Sequence, residues 1–441
     1  MPSRETLFVI GSGGREHALV WHLRQHYPQA ALYCAPGNPG IARLATCLPV
    51  SLGDLDGLVA AAAALNPRLI IVGPEAPLVA GIADRFLARG LSVLGPTAAA
   101  AALEGSKVFG KDLMWRYGVP TAQHAAFDNL SEALAYLDTV EGRVVVKADG
   151  LAAGKGVVVC DDVDQARRAA RAMLVEGVFG DAGRRIVVEE RLDGQEVSIF
   201  ALVDGEAVVL LPAAQDHKRV GDGDRGPNTG GMGAAAPVPL DQTLRRRVVR
   251  EILEPVARAM CAEGRPYHGV LFAGLMLTPE GPKVLEFNCR LGDPEAQVVL
   301  PLLPLGLPDA CEAMRARTLA SDSLVADAAD ATDGGPAIGS AVGVVLASRG
   351  YPGTPEIGVD IEGLDAAEVE GLVFHSGTTL RDGGYVTAGG RVVTVVGRGV
   401  TLAAARVAAY RAAGHVHFEG VHYRRDIGAR LMPASVSVGR V

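Results

Sequence analysis

The sequence predicts a multidomain protein of mixed α/β and α+β class, with a doubly wound parallel sheet at its N-terminal end. The chain has 441 residues, which at about 150 residues per domain allows roughly three domains. Its first hundred residues alternate short apolar runs with helical stretches, which is the order of parallel β-α-β units. Beyond residue 339 short apolar runs dominate, which indicates a strand-rich domain at the C-terminal end.

The predicted elements follow in chain order. Strands are expected at TLFVIG, ALYCAPG, RLIIVGPE and SVLGPT, because each run is apolar and bounded by glycine or proline. A helical region follows, then strands at RVVVKADG, KGVVVCD and RRIVVEERL. VLFAGLML and PKVLEFNCR are expected to pair antiparallel around TPEG. Residues 320–339, rich in Ala, Asp and Gly, are expected to form a linker before the strand-rich end domain.

Composition excludes several classes of partner. The formal net charge is −8 and no basic block stands out, which argues against a nucleic-acid or anionic-membrane surface. The six cysteines form no CxxC pair, so we expect reduced thiols. The first residues lack the apolar core of a signal peptide, and no run approaches the ~18 apolar residues of a membrane span. We therefore expect a cytoplasmic protein.

The glycine turn GSGG follows a strand and opens a helix. Its backbone amides could bind an anion at the helix N-terminus. A dinucleotide fold is not favoured, because Glu16 stands where the third glycine of the fingerprint should be. Asn38 and Glu75 follow later strands, and the carboxyl ends of parallel strands share one edge. The turn therefore predicts either a small phosphorylated ligand or a tight turn in which glycine only allows close packing.

The segment KADGLAAGKG is a second candidate phosphate site. It does not match a nucleotide-binding P-loop, because its glycine spacing is short and Gly156 replaces the Ser or Thr. It is better described as a glycine-rich flap between two strands, with Lys147 and Lys155 at its ends. Two lysines could neutralise a polyphosphate. An ordinary hairpin with surface lysines is the alternative.

Carboxylates mark two other strand ends. Glu189, Glu190 and Glu196 could bind ribose hydroxyls, although acidic residues after a strand are usually only solvated. Glu286 and Asn288 are two apart in a predicted strand, so they point to one face and offer hard oxygen ligands of the kind that Mg²⁺ takes beside phosphates.

The glycine-rich stretch 215–234 is too long and too polar to be ordered by hydrophobic burial. It carries Asp216, His217 and Lys218 at its start. The segment is therefore either disordered or ordered by contacts other than hydrophobic burial.

In combination, these motifs resemble those of the phosphoribosylamine–glycine ligase family of the ATP-grasp superfamily. The resemblance rests on GSGGREHAL, PGNPG, GPEAPL, KADGLAAGKGV, VVEERLDGQEVS, QDHKR with GPNTGGMGA, and LEFNCRLGDPEAQ, and it continues through SRGYPG, FHSGT, TAGGRVV and YRRDIG. It implies an N-terminal pre-ATP-grasp domain at 1–104 and an ATP-grasp domain at 105–325, whose flap subdomain spans about 122–195. A C-terminal strand-rich domain at 326–430 and a tail at 431–441 follow.

The family's reaction joins glycine to 5-phosphoribosylamine at the expense of ATP, with Mg²⁺ or Mn²⁺. The resemblance implies that Lys107 and Lys147 hold the ATP phosphates and that Lys155 covers them. It implies an adenine site along the backbone of Glu189, Glu190 and Leu192, with Glu196 on the ribose. We expect a monomer or weak dimer that makes transient contact with the enzyme supplying phosphoribosylamine.

The remaining implied roles concern the metal and the two small substrates. Glu286 and Asn288 match the family's metal ligands. The catalytic residues would be Arg290, Asp216 and Lys147, with Arg290 and Asp216 orienting glycine and the transferred phosphoryl group. The implied phosphoribosylamine ligands are Gly11, Gly13, Gly14, Asn38 and Glu75. The family pattern also places residues 215–234 beside the ATP phosphates and glycine, which implies a loop that is mobile when empty and becomes ordered by ligand contacts.

One departure from the superfamily concerns the metal. Many ATP-grasp enzymes carry a metal-binding carboxylate on the strand before the one with Glu286, whereas VLFAGLML has none. Water or Asp216 would have to complete the shell. Two alternatives stay open: another ATP-grasp ligase that activates bicarbonate, formate or a different amino acid, and a non-catalytic nucleotide-binding regulator.

Overall fold

The computed structural model describes residues 5–140, 143–152, 155–319, 324 and 339–432. Most of the predicted linker, the predicted boundary at 325/326 and residues 433–441 of the predicted tail lie outside these ranges. Within them, no helix is long and apolar enough to cross a membrane.

The strands of the described residues are β1 (Thr6–Gly11), β2 (Ala31–Pro36), β3 (Thr46–Cys47), β4 (Leu69–Val72), β5 (Val93–Leu94), β6 (His124–Phe127), β7 (Val144–Ala148), β8 (Val157–Cys160), β9 (Ile186–Glu190), β10 (Gln195–Asp204), β11 (Ala207–Leu210), β12 (Gln215–Asp216), β13 (Arg219–Gly221), β14 (Arg225–Asn228), β15 (Gly233–Ala236), β16 (His268–Thr278), β17 (Gly281–Asn288), β18 (Ser340–Ala347), β19 (Asp360–Ile361), β20 (Leu372–His375), β21 (Thr378–Arg381), β22 (Gly384–Thr387) and β23 (Arg391–Gly399).

The α-helices of the same residues are α1 (Gly14–His26), α2 (Leu55–Leu65), α3 (Glu75–Val79), α4 (Ile82–Leu87), α5 (Ala98–Gly105), α6 (Lys107–Arg116), α7 (Leu130–Leu137), α8 (Val163–Leu174), α9 (Gln242–Val248), α10 (Glu254–Ala262), α11 (Ala296–Val299), α12 (Leu307–Arg315), α13 (Leu364–Glu370) and α14 (Leu402–Ala413).

The N-terminal sheet has the strand order β3-β2-β1-β4-β5, and its pairings are all parallel. This confirms the predicted doubly wound sheet. Gly11 pairs with Pro36 at the ends of β1 and β2, and the Gly73 N–H donates to Ile10 O at the end of β4. The turns after β1, β2 and β4 therefore meet at one edge, as the sequence predicts.

Two four-stranded antiparallel sheets form the centre of the molecule. The first has the order β6-β9-β7-β8 and packs against α7 and α8, which bury Leu137 and Met173. The second has the order β11-β10-β16-β17. β16 and β17 pair around the turn at 278–281, as predicted, with Phe272 opposite Asn288. This arrangement agrees with the predicted two-subdomain ATP-grasp fold.

The C-terminal sheet has the order β12-β15-β18-β23-β20, and α14 packs closely on β18 and β23. A side chain at Gly397 would collide with the backbone of α14 at Ala409 N, so glycine permits this contact. The sheet also contains β12 and β15, from the stretch that the sequence assigned to a loop of the ATP-grasp domain. The polar, glycine-rich sequence did not predict these strands. Their place in the sheet depends on pairing with β18, about a hundred residues later in the chain.

Candidate active site

A cleft of about 1050 Å³ lies between the two central sheets and extends to the N-terminal and C-terminal sheets. The predicted site residues on its lining are Glu75, Lys107, Lys147, Glu189, Glu190, Leu192, Glu196, Asp216, Glu286, Asn288 and Arg290. The predicted residues Gly11, Gly13, Gly14, Asn38 and Lys155 are not part of the lining. Most residues of the predicted nucleotide and metal site therefore line one cleft, whereas most of the predicted phosphoribosylamine ligands do not line it.

Lysine is concentrated in this cleft. The chain contains six lysines, and Lys107, Lys111, Lys147 and Lys218 all line the cleft. Lys111 was not predicted as a site residue, although it lies four residues after Lys107 and hence on the same face of α6. Burial lowers the pKa of Lys111 to about 8, while Glu189 beside it acts in the opposite direction. Several ammonium groups at one site suit a polyphosphate ligand.

Glu189 holds two of these lysines. Its Oε2 lies 3.0 Å from Lys111 Nζ and 3.0 Å from Lys147 Nζ, and all three side chains are almost completely buried. Lys147 Nζ also donates to Leu285 O at 3.0 Å. The other carboxylate oxygen of Glu189 is buried without a hydrogen-bond partner from the protein. A buried acceptor is costly to leave unpaired, so this oxygen suits a ligand N–H donor.

Glu286 is a carboxylate in a cationic environment. Burial acts to raise its pKa, but Lys147 and Lys218 outweigh burial and hold the pKa below its usual value. Gly274 lies directly opposite on β16, so no side chain competes for the space beside Glu286. Glu286 therefore stays ionised at neutral pH and faces the cleft together with Asn288.

These two residues suit a divalent cation that also binds phosphate oxygens. A carboxylate and an amide carbonyl are hard oxygen donors of the kind that Mg²⁺ takes with nucleotides. Among the described residues, no cluster of three His, Cys, Asp or Glu side chains could hold a metal ion. A cation here would therefore draw its other ligands from phosphate or water.

Asp216 and Glu295 form a second acidic group on the cleft wall. Burial raises the pKa of Asp216 to about 7, with Lys218 opposing and Glu295 reinforcing the shift. Glu295 is only 4% exposed and accepts a hydrogen bond of 3.1 Å from Ser198 Oγ. Burial acts to lower the pKa of Lys218, but Asp216 and Glu196 raise it well above its usual range. Glu295 lies in the GDPEAQ motif but was not predicted as a site residue.

Arg290 joins the predicted glycine site to the predicted phosphoribosylamine site. Its Nε donates to Glu75 Oε2 at 3.1 Å, and its Nη2 donates to Glu104 Oε1 at 2.8 Å. Glu104 was not predicted, since it lies 186 residues from its partner and on a helix of ordinary appearance. The sequence predicted that Arg290 grips an anionic ligand, and the structure shows it already holding two protein carboxylates.

The glycine turn is capped by the protein itself. The Gly13 N–H donates to Glu16 Oε2 at 2.6 Å, and a side chain at Gly11 would overlap Glu16. A Cβ at Gly14 would lie 2.6 Å from Gln297 Nε2 and from Ser376 Oγ. Because Glu16 occupies the helix N-terminus, the geometry favours the packing alternative for these glycines over an anion site.

Asn38 is likewise engaged within the protein. Its Nδ2 donates to Ser12 O at 2.8 Å and to His375 O at 2.9 Å, and its Oδ1 accepts from the Ile41 N–H at 2.9 Å. The side chain thus connects the N-terminal turns to the C-terminal sheet. These contacts favour a structural role for Asn38 over the predicted contact with substrate.

The stretch 215–234 contains regular secondary structure, which the sequence did not predict. It forms β12, a hairpin of β13 and β14, and β15. Its partners are groups of the C-terminal domain: for example, the Gly230 N–H donates to Tyr351 Oη at 2.8 Å and Arg391 Nη1 donates to Gly230 O at 2.6 Å. The segment therefore has strands and protein contacts that the sequence did not predict, and its expected ordering by ligand stays a prediction.

Models of the phosphoribosylglycinamide synthetase family match most of the chain. The N domain matches residues 5–104, the ATP-grasp (A) domain matches 105–296 and the C domain matches 341–430. Phosphoribosylamine–glycine ligase of Pseudomonas aeruginosa is 50% identical over 432 residues, which are 97% of this chain and 98% of the relative. That of Halalkalibacterium halodurans is 46% identical over 97% of each chain.

Two solved structures illustrate the similarity of fold. Phosphoribosylamine–glycine ligase of Thermotoga maritima superposes with a TM-score of 0.82 at 35% identity, covering 96% of this chain and 99% of that chain. The biotin carboxylase domain of Hydrogenobacter thermophilus 2-oxoglutarate carboxylase has a TM-score of 0.70 at 16% identity, covering 95% and 91%, and so shows the fold alone. Three family models that follow one another along the chain match most of it, and the two relatives at 50% and 46% identity match nearly its whole length. The chain therefore belongs to the phosphoribosylglycinamide synthetase family.

Proposed function

We propose that the chain ligates glycine to 5-phosphoribosylamine, using ATP and forming glycinamide ribonucleotide, ADP and phosphate in de novo purine synthesis. The observation that carries the proposal is the single cleft in which Lys107, Lys147, Glu286 and Arg290 meet. The full-length similarity to phosphoribosylamine–glycine ligases supports this substrate pair.

The first step activates the glycine carboxylate. One carboxylate oxygen attacks the γ-phosphorus of ATP, the bond from that phosphorus to the ADP oxygen breaks, and glycyl phosphate forms. Phosphoryl transfer needs positioning and neutralisation of charge more than covalent chemistry from the protein. Lys107 and Lys147 supply positive charge from α6 and β7. A divalent cation, Mg²⁺ or Mn²⁺, held by Glu286 and Asn288, would neutralise further phosphate charge.

The second step forms the amide. The amine nitrogen of phosphoribosylamine attacks the acyl carbon, the carbon–oxygen bond to phosphate breaks, and inorganic phosphate leaves while the nitrogen loses a proton. Asp216 is suited to accept that proton, because burial brings its pKa to about 7. The contact between Arg290 and Glu75 supports neighbouring sites for the two substrates, as amide formation requires.

The nucleotide would lie along the wall formed by β9 and β10. The unpaired Glu189 oxygen suits the exocyclic amine of adenine, and the backbone at Glu190 and Leu192 borders the same part of the cleft. Glu196, which pairs with Lys218 at 2.8 Å, remains our candidate for the ribose hydroxyls. Lys155 is exposed beside the flap, and its role in covering the phosphates stays a prediction.

The alternatives are less well supported. The biotin carboxylase domain, which has the same fold, shares only 16% identity with this chain, so it supports the fold but not its own chemistry here. A non-catalytic regulator would not be expected to keep the four cleft residues together. Cytoplasmic location, a monomeric or weakly dimeric state and transient contact with the supplying enzyme stay predictions.

Omission of each substrate in turn tests the proposal. We expect ADP release only when ATP, glycine and freshly generated phosphoribosylamine are all present, together with one glycinamide ribonucleotide per ADP. Equal ADP release without glycine, or with formate or bicarbonate in its place, would assign the chain to another carboxylate ligase. No ADP release under any combination would favour the regulator.

A further inference from the structure

The C-terminal domain determines where Asp216 lies. β12, which contains Asp216, is the edge strand of the C-terminal sheet, with Asp216 paired to Ala234 on β15. β15 pairs in turn with β18, where Ala234 faces Gly343. An acidic group on the cleft wall is thus built on a sheet whose strands β18, β23 and β20 come from beyond residue 339.

The hairpin that follows is weak by itself. β13 and β14 (residues 219–228, here the active-site hairpin) pair only at Arg219 with Asn228 and at Gly221 with Arg225, with an irregularity between them. Its tip contains Asp224 at φ 55° and Gly223 at φ 67°. An isolated two-stranded hairpin is marginally stable at best, so this one needs partners to keep a fixed position.

Residues 422–428, here the C-terminal strap, provide those partners through Arg424. The Arg424 side chain is completely buried. Its Nη1 donates to Arg219 O at 3.0 Å and to Asp224 Oδ1 at 2.8 Å, both on the active-site hairpin. Its Nε and Nη2 donate in parallel to the two Asp426 oxygens at 2.7 Å each, which fixes the guanidinium plane.

Further contacts extend the same attachment. The Gly223 N–H donates to Asp426 Oδ2 at 2.9 Å, and the Arg425 N–H donates to Asp222 Oδ1 at 2.7 Å. His422 Nε2 lies 2.8 Å from Val220 O. The strap therefore contacts the active-site hairpin along its first strand and its tip.

The start of the segment connects this attachment to the cleft. Along an extended chain, side chains alternate between two faces. Asp216 and Lys218 line the cleft, whereas His217 between them is buried and lies in the field of Arg424 and Asp426. A shift of the active-site hairpin relative to the strap would therefore move the two cleft residues.

We propose that Arg424 is a positioning residue: it holds the active-site hairpin and, through it, Asp216 and Lys218 against the cleft. The inference rests on the proposed function for its kinetic consequence, since Asp216 accepts the amine proton there and the family resemblance assigns it to the orientation of glycine. Arg424 itself does not line the cleft. Loss of Arg424 should raise the KM for glycine more than it weakens nucleotide binding, because Lys107 and Lys147 lie on other elements, α6 and β7.

The test compares Arg424→Met with Arg406→Met. Arg406, on α14, donates to Ile427 O at 3.0 Å and to Arg425 O at 2.6 Å. It therefore attaches the same strap to α14, whereas Arg424 attaches the strap to the hairpin. In Arg424→Met we expect faster hydrogen exchange across residues 215–231 and a glycine KM raised by about tenfold or more, with ADP affinity changed far less. Arg406→Met should leave both measurements near wild type. Arg424→Lys should restore them only in part, because lysine lacks the planar fork.

Four results would overturn the inference. Wild-type exchange of the active-site hairpin in Arg424→Met would show that Arg424 does not hold it. Faster exchange with an unchanged glycine KM would show that the attachment has no role in the reaction. Equal losses in Arg424→Met and Arg406→Met, or parallel loss of ADP affinity, would indicate general destabilisation.

A second variant covers failure of Arg424→Met to fold. Asp222 is exposed at the hairpin tip, and its Oδ1 accepts a hydrogen bond from the strap backbone at the Arg425 N–H. Asp222→Ala should give the same pattern at smaller amplitude, and wild-type exchange together with wild-type glycine KM would then overturn the inference. Hydrogen exchange needs no turnover. If the wild type shows no glycine-dependent ADP release, the proposed function fails separately.

Discussion

Glu286→Gln is expected to lower kcat by about three orders of magnitude while the protein stays folded. Glutamine keeps the size of the side chain but removes the negative charge. In the wild type that charge is maintained at neutral pH because Lys147 and Lys218 hold the pKa of Glu286 below its usual value. Without it, a cation bound with ATP would have only neutral amide oxygens as protein ligands. Steady-state ADP release, with thermal unfolding as the check on folding, measures the effect.

Glu280→Gln is the matched control. Glu280 lies on the turn between β16 and β17, and its side chain is 73% exposed. The same chemical change there should leave kcat near wild type. Activity of Glu286→Gln within a few-fold of the control would remove Glu286 from the metal site.

Lys147→Met is expected to lower kcat/KM for ATP by about two to three orders of magnitude. Methionine fills a similar space, but it removes an ammonium group that lies 3.0 Å from Glu189 and faces the cleft. Glu189 keeps Lys111 as a partner, so the fold should survive. Initial rates at varied ATP, together with ADP binding by calorimetry, separate the loss of nucleotide affinity from the loss of turnover.

Lys283→Met serves as the control for this variant. Lys283 is the lysine of β17 that lies 3.9 Å from Glu190, and it is not part of the cleft lining. Its replacement should change ATP kinetics little. If both variants were equally impaired, a general loss of positive charge would explain the result, and the specific role of Lys147 in phosphate binding would be wrong.

Local patterns predicted what depends on local sequence. Alternation of apolar runs and helices was enough for β1 to β5, and the period of two placed Glu286 and Asn288 on one face of β17. Antiparallel pairing around TPEG also followed from the sequence. These features depend on residues close together in the chain, so they can be predicted from residue propensities and from the period of the hydrophobic pattern.

Contacts between distant residues could not be predicted in this way. Nothing around Glu104 indicates that it will hold Arg290, and nothing around Asn38 shows that its amide forms hydrogen bonds with three backbone groups. In the sequence, Glu16 indicated only that a dinucleotide-binding motif is absent, whereas in the structure its carboxylate caps the glycine turn. Each outcome depends on which elements the fold brings together.

The stretch 215–234 shows the same limit on a larger scale. Its glycines and charged residues predicted a loop and not a strand, because the stretch contains no apolar run. The structure gives it two strands of the C-terminal sheet and a hairpin held by a strap about two hundred residues away. One wall of the cleft is therefore in contact with a distant part of the same chain.

Transfer of labelled oxygen tests the proposed reaction most directly. Glycine carrying oxygen-18 in its carboxylate would be supplied with ATP and phosphoribosylamine, and the inorganic phosphate would be analysed by mass spectrometry. A glycyl phosphate intermediate predicts one glycine oxygen in each phosphate released, because the carboxylate oxygen that attacks the γ-phosphorus leaves with it. Phosphate free of the label, formed in step with glycinamide ribonucleotide, would contradict the account.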